Sequence, residues 1–219
     1  MKFVDDSSKN CKWWNRNYFW CVTLIYIATN IILFALLGRN NLLWQWEEKE
    51  WRVFNGLKEM LISFGNAFTH NNWSHVLLNM CAFGISSLYM ERKLGSLNYF
   101  SIIVLMALFS SVLTSMYVGL SWAGSSVVYF AVWGYVIVDW LFSFRKGIRN
   151  RTSTIIGLIV IIANYIWSCF WEESSRVTVH LLPVQLIFNA GHYYGFVVGI
   201  ILALIINITK LQHSANLNK

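Results

Sequence analysis

Proline is nearly missing from this chain: one residue in 219, Pro183. It lies in the connection before the last apolar run, so no run is interrupted from within. Charge is scarce too. Asp, Glu, Lys and Arg together make 12% of the residues against 57% hydrophobic, where soluble domains carry about 25% charge. That excludes a soluble globular domain and describes an integral membrane protein. Cysteine is limited to Cys11, Cys21, Cys81 and Cys169, at no metal-ligand spacing. Three of them sit in or beside apolar runs and read as small buried hydrophobes. Internal repeats and low-complexity tracts are lacking. Residues 1–17 are polar, with no cleavable signal pattern.

What is abundant is long apolar sequence. A membrane span needs about 20 mainly apolar residues, and six runs qualify: Tyr18–Gly38, Trp73–Met90, Asn98–Val118, Gly124–Phe144, Thr152–Trp171 and Gln185–Thr209. The expectation is an all-α membrane protein with one six-helix domain over residues 18–209. A short N-terminal segment, 1–17, and a tail, 210–219, flank it. The longest connection, 39–72, is rich in Trp and charge, as suits a segment at the lipid headgroups.

The net charge of +7 raises nucleic acid as a partner, but its placement argues against that. With six spans and a cytoplasmic N-terminus, Lys2, Lys9, Lys12, Arg16, Arg92, Lys93, Arg145, Lys146, Arg149, Arg151, Lys210 and Lys219 fall inside. Only Arg39, Lys49, Arg52, Lys58 and Arg176 fall outside, accompanied by Glu47, Glu48, Glu50, Glu59, Glu172 and Glu173. This positive-inside asymmetry puts both termini in the cytoplasm. The partner it implies is a lipid bilayer.

Three spans carry polar residues that a lipid-facing helix should not contain: His70, His75 and Asn79 at the second, Ser126 at the fourth and His192 in the sixth. Such residues are costly in a membrane and face protein or a water-filled cavity. These three spans all start outside. At about 1.5 Å per residue, His75, Asn79, Ser126 and His192 share one layer in the outer half of the bilayer. His75 and Asn79 lie on one helical stripe, as do His192, Gly195 and Gly199. Small residues let helices approach closely, so Gly195 and Gly199 are expected to press the sixth span on the fourth.

A hydroxyl, an imidazole and a set of donors are the parts of a serine hydrolase. Ser126 is the candidate nucleophile and His192 its base, returning the proton to the leaving amine. The Ser126 N–H, His75 and Asn79 are candidate oxyanion donors. Gly124 allows the turn that sets Ser126 at a helix start, where N–H groups lack intrahelical acceptors. No Asp lies in this layer, so the expectation is a Ser–His dyad. Ser125 competes with Ser126 as nucleophile. His70 and His75, five apart, miss a common helix face and have no third ligand, so neither metal nor cofactor is expected.

His70-Asn-Asn-Trp-Ser-His75-Val-Leu-Leu-Asn79, followed by Glu91-Arg92-Lys93-Leu94-Gly95-Ser96, resembles the HxxxxHxxxN helix and following loop of the rhomboid intramembrane serine proteases. Gly124-Ser125-Ser126-Val127 resembles their GxSx motif, and Gly191-His192-Tyr193-Tyr194-Gly195 through Gly199 their AHxxGxxxG. The resemblance spans roughly residues 62–200. It implies a six-helix fold with a cavity open to the outside, and cleavage of single-pass membrane proteins near the outer surface without cofactor. It also implies a structural hydrogen-bonding role for His70, and for Phe130 packing on the imidazole. Val127 stands where Gly is common, and Gly191 where Ala is usual. The alternative is a non-proteolytic rhomboid relative that binds transmembrane segments for quality control. A small channel or transporter is disfavoured, because the polar residues stay in the outer layer. A bacterial plasma membrane fits the minimal six-span layout.

Overall fold

The computed structural model describes residues 20–38, 56–118, 124–145, 176–181 and 184–216. These form six helices and one hairpin: α1 (Cys21–Leu37), α2 (Leu57–Asn66), α3 (Trp73–Leu94), α4 (Ser96–Val118), α5 (Ser126–Arg145), β1 (Arg176–Leu181), β2 (Val184–Asn189) and α6 (Ala190–Asn216). Five of the six expected spans coincide with α1, α3, α4, α5 and α6. The remaining one, Thr152–Trp171, lies outside the described residues. By length and composition, Ser96–Tyr117 and Ala190–Lys210 suffice to cross a membrane, and Cys21–Leu37 and Ser126–Phe142 are shorter apolar helices.

The helices bury a continuous apolar core, with Tyr26, Phe34, Val76, Met80, Phe83, Tyr99, Met106 and Val127 to Val132 in it, yet α1 and α2 also bury polar residues while exposing large apolar ones. On α1, Thr23 and Asn30 are buried at one end and the middle of the inner stripe, while Ile25 and Leu36 are 64% and 76% exposed. On α2 the buried face carries Glu59, Ser63 and Asn66 with Ile62, and the outer face shows Leu57 and Leu61. In water this distribution would forfeit hydrophobic stabilisation; in lipid, apolar groups face the solvent and polar groups seek protein partners.

Those partners are specific. The helix start of α1 has no side-chain cap of its own. Glu91, from the last turn of α3, accepts instead from the N–H groups of Val22 and Thr23 at 2.9 Å and from the Thr23 hydroxyl at 2.6 Å. Its carboxylate also takes the Ser96 hydroxyl of α4 at 2.7 Å. A buried carboxylate at a helix N-terminus satisfies orphan donors and meets the positive end of the helix dipole. Gly95 ends α3 with φ 78°, its N–H donating to the Glu91 carbonyl, so α4 starts one residue later. Lys93 of α3 pairs with Asp139 of α5, where the Tyr89 hydroxyl also donates.

The most extensive packing is between α5 and α6. Glycine makes it possible. A Cβ on Gly134 would strike the Phe196 carbonyl, one on Gly195 the Val127 carbonyl, and one on Gly199 the Ala131 carbonyl. The expected approach of the sixth span to the fourth through Gly195 and Gly199 is therefore observed at the backbone level.

Two expectations change. Residues 185–189 belong to β2, paired antiparallel with β1 in the register Arg176↔Asn189 to Leu181↔Val184, so the last helix begins at Ala190 rather than Gln185. Asn189 sets that start by accepting from the Gly191 N–H at 2.8 Å, an ordinary N-cap. An apolar run of this kind has the same periodic signature as a buried helix, which is why the boundary moved. Second, α2 is a helix inside the Trp-rich connection that the sequence treats as a single interfacial segment.

Candidate active site

The site is assembled from three helix starts. Asn72 caps α3 by accepting from the His75 N–H at 2.8 Å, which fixes His75 in the first turn and Asn79 one turn below. Ser126 is the first residue of α5 and is partly exposed, whereas Ser125 before it is fully buried. His192 lies in the first turn of α6, shallower than the expected start at Gln185 would put it, because the helix begins at Ala190. All three helices thus present their N-terminal turns, where backbone N–H groups outnumber acceptors.

Gly124 joins these parts. Its φ is 130°, in the region that only glycine adopts without strain. A Cβ there would also sit 2.9 Å from the His75 ring and 3.5 Å from Asn79 Nδ2. The turn leading into Ser126 therefore lies directly against the two polar residues of α3. Asn79 is buried, and its Nδ2 finds no acceptor among the described residues. Several buried polar atoms among the described residues share this state, such as Ser63 Oγ and Trp133 Nε1; Asn79 is set apart by its place against the Gly124 turn.

The turn is held from the other side by the segment between α2 and α3. The Gly124 N–H donates to the Asn66 carbonyl at 3.2 Å, and the same carbonyl accepts from the Thr69 N–H and hydroxyl. His70 Nε2 lies 3.1 Å from the Ser125 hydroxyl and 3.4 Å from the Ser125 nitrogen. Its ring meets His75 edge-on, centroids 5.1 Å apart. Burial first, and the neighbouring His75 second, push His70 down to about 3, so it is neutral at physiological pH.

On the far side, Phe130 stacks on the His192 ring with centroids 4.1 Å apart and planes 16° from parallel. Phe130 is one turn after Ser126, and Gly195, one turn after His192, sits against Val127 and Phe130. The α5 turn that begins with Ser126 is thus packed on the α6 turn that carries the imidazole. Val127 is fully buried, and no residue other than glycine has positive φ among those described, so valine enters an ordinary helical turn there.

Of the residues singled out in the sequence, the structure brings His70, His75, Asn79 and Gly124 into one cluster, with Ser126 at its edge. Phe130, His192, Gly195 and Gly199 form the adjoining α5–α6 seam. Asn66 and Glu91 were not singled out as functional. Asn66 acts through its backbone carbonyl, which leaves no side-chain signal. Glu91 had one: a lone carboxylate closing an otherwise apolar run.

Comparison with known proteins fits this geometry. Residues 57–208 match the family described as the Rhomboid domain, more than half of the chain. The chain belongs to the rhomboid family. Among similar proteins, the rhomboid protease GlpG of Yersinia enterocolitica is 28% identical over 138 residues, which cover 63% of this chain and 45% of that protein. GlpG of Yersinia pestis matches with the same identity and coverage. This rhomboid chain therefore aligns with somewhat under half the length of these relatives.

Proposed function

We propose that this protein is an intramembrane serine endopeptidase that cleaves single-pass membrane proteins near the outer membrane surface. In this reading Ser126 attacks the scissile carbonyl while the His192 imidazole takes its proton. The tetrahedral oxyanion is met by the Ser126 N–H, Asn79 and His75. Collapse breaks the peptide C–N bond, and the imidazolium returns the proton to the leaving amine. Water, deprotonated by the same imidazole, then releases the acyl chain from Ser126. The chemistry needs neither metal nor cofactor.

The observation that supports it most is the buried Asn79 amide, without an acceptor, against the Gly124 turn that ends on Ser126. A donor of that kind is arranged for an oxygen that carries charge only during reaction. The stacking of His192 on Phe130 supports the base, since it fixes the ring plane beside the Ser126 turn. The name protease on the related chains supports the reaction class. The same reading has a six-helix domain over 18–209, both termini in the cytoplasm, and a bacterial plasma membrane as the site of action.

The test is labelling of detergent-purified protein with a fluorophosphonate probe, alongside cleavage of a single-pass substrate in liposomes. Wild type is expected to label and cleave, and Ser126→Ala and His192→Ala to do neither while remaining folded. A Ser126→Ala variant that still cleaves would sink the assignment.

A further inference from the structure

Asp139 lies 13 residues after Ser126 on α5 and is only 2% exposed. A buried carboxylate in a membrane helix is costly and points to a function. The chemistry assigned to Ser126 does not use it: at about 1.5 Å per residue it stands about 20 Å along the helix from the nucleophile. Two partners reach it from α3. The Lys93 ammonium pairs with Asp139 Oδ2, and the Tyr89 hydroxyl donates to the same oxygen at 3.3 Å. Lys93 Nζ also lies 5.9 Å from the Tyr89 ring centroid, so the three side chains form one cluster. Lys93 follows Asn79 by 14 residues, about 21 Å along α3. Thus α3 and α5 run parallel and meet at two points about equally far apart on each. At one end His75 and Asn79 face the Gly124 turn; at the other Lys93 and Tyr89 hold Asp139.

We propose that Lys93, Tyr89 and Asp139 are positioning residues that set the axial register of α5 on α3, and so hold the Ser126 turn opposite the oxyanion donors from the far end of the helix pair. The inference rests on the reading of Ser126 as nucleophile with His75 and Asn79 as donors. At the Ser126 end the Asn79 amide has to stay without an acceptor until the oxyanion forms, so it cannot pin one helix to the other. Between the ends both helices contribute apolar side chains to the core, such as Met80 and Phe83 of α3 and Val128 and Val132 of α5. Apolar burial is non-directional, and lipid tails offer such side chains a nearly equal surrounding. An ion pair with a second donor on the same oxygen is satisfied in one register, and fixing register is the best-attested use of buried polar contacts. A slip of one residue would carry Ser126 about 1.5 Å along α3. A misplacement of about 1 Å already costs about a hundredfold in rate.

The test separates register from stability. Lys93→Met combined with Asp139→Leu removes both charges and orphans neither, so the Tm should hold. The kcat per fluorophosphonate-titrated site should nevertheless fall by about ten- to a hundredfold, at little changed KM, because substrate engages the other end of the pair. Exchanging the charges, Lys93→Asp with Asp139→Lys, keeps the combined reach of the two side chains and should recover most of that loss. If the apolar pair does not fold, the exchanged pair is read against Asp139→Asn, and a higher kcat in the exchanged pair is expected; an equal or lower one overturns the proposal. An apolar pair with undiminished kcat also overturns it, as does a loss of kcat that tracks a loss of Tm and that the exchange does not recover. Each of these results leaves the Ser126 assignment standing. Cleavage by Ser126→Ala, or a wild type inert to probe and substrate, overturns both.

Discussion

Asn79 illustrates how a single side chain can be poorly solvated on purpose. Its buried amide nitrogen has no acceptor among the described residues, so substitution removes a cost as well as a contact. Asn79→Ala is expected to lower kcat by about a hundredfold while the Tm holds, a split that cleavage kinetics and calorimetry on one sample would reveal. A fall in Tm with unchanged kcat would instead make Asn79 a packing residue. His70 makes a second prediction at this scale, on pH. Unfolded, its imidazole titrates near about 6.5; folded, burial and His75 push it down to about 3. Between those values the unfolded chain binds a proton that the folded one refuses. Stability is therefore fully present above the unfolded value and is lost progressively as pH falls towards 3. The Tm should decline with acidification over that window, and His70→Gln, which cannot titrate, should flatten the decline.

Elements are held by close approach rather than by bulk. Gly199 lets α6 lie on the Ala131 carbonyl of α5, and a methyl there has no room. Gly199→Ala should cost about 1–3 kcal/mol, as overpacked cores do, and should slow cleavage as well, because the same seam carries His192. Gly84→Ala is the matched control: its Cβ would meet only Ile27 Cδ1 at 3.5 Å, an ordinary contact. Thermal melts of the pair in one detergent check the difference. The glycine seam was readable in the sequence because Gly195 and Gly199 keep helical spacing with His192. So were the polar residues of α3, α5 and α6, which stand out against apolar neighbours. The hairpin before α6 was not readable. Val184–Asn189 is an apolar run with no polar alternation to mark it as a strand, so it merged with the helix that follows. The hold of Asn66 on Gly124 was equally hidden, since a backbone carbonyl has no residue code. The approach of Glu91 to α1 lay sixty-odd residues away in sequence, at a separation of 68 and 69 positions.

Across the whole molecule, the exposed apolar side chains and the charge asymmetry expected of six spans make one statement about solvent. Apolar side chains such as Ile25, Leu36 and Leu97 point outward, and a six-span arrangement would put the excess of Lys and Arg on one side. A reporter active only in the cytoplasm should be active when fused at either terminus, and a membrane-impermeant fluorophosphonate added to sealed cells should still reach Ser126. Activity of the reporter at one terminus alone would contradict an even number of crossings. Impermeant probe that labels only after lysis would put the Ser126 opening on the wrong side.

Glu91 also imposes an order of events during synthesis. The first turn of α1 leaves the ribosome long before its acceptor, and its Val22 and Thr23 donors stay unmatched until the end of α3 is made. Ser96, on the next helix, closes the same carboxylate. A nascent chain stopped ahead of Glu91 therefore lacks the acceptor for the first turn of α1, and the latch can close only once synthesis has carried Glu91 and Ser96 clear of the ribosome.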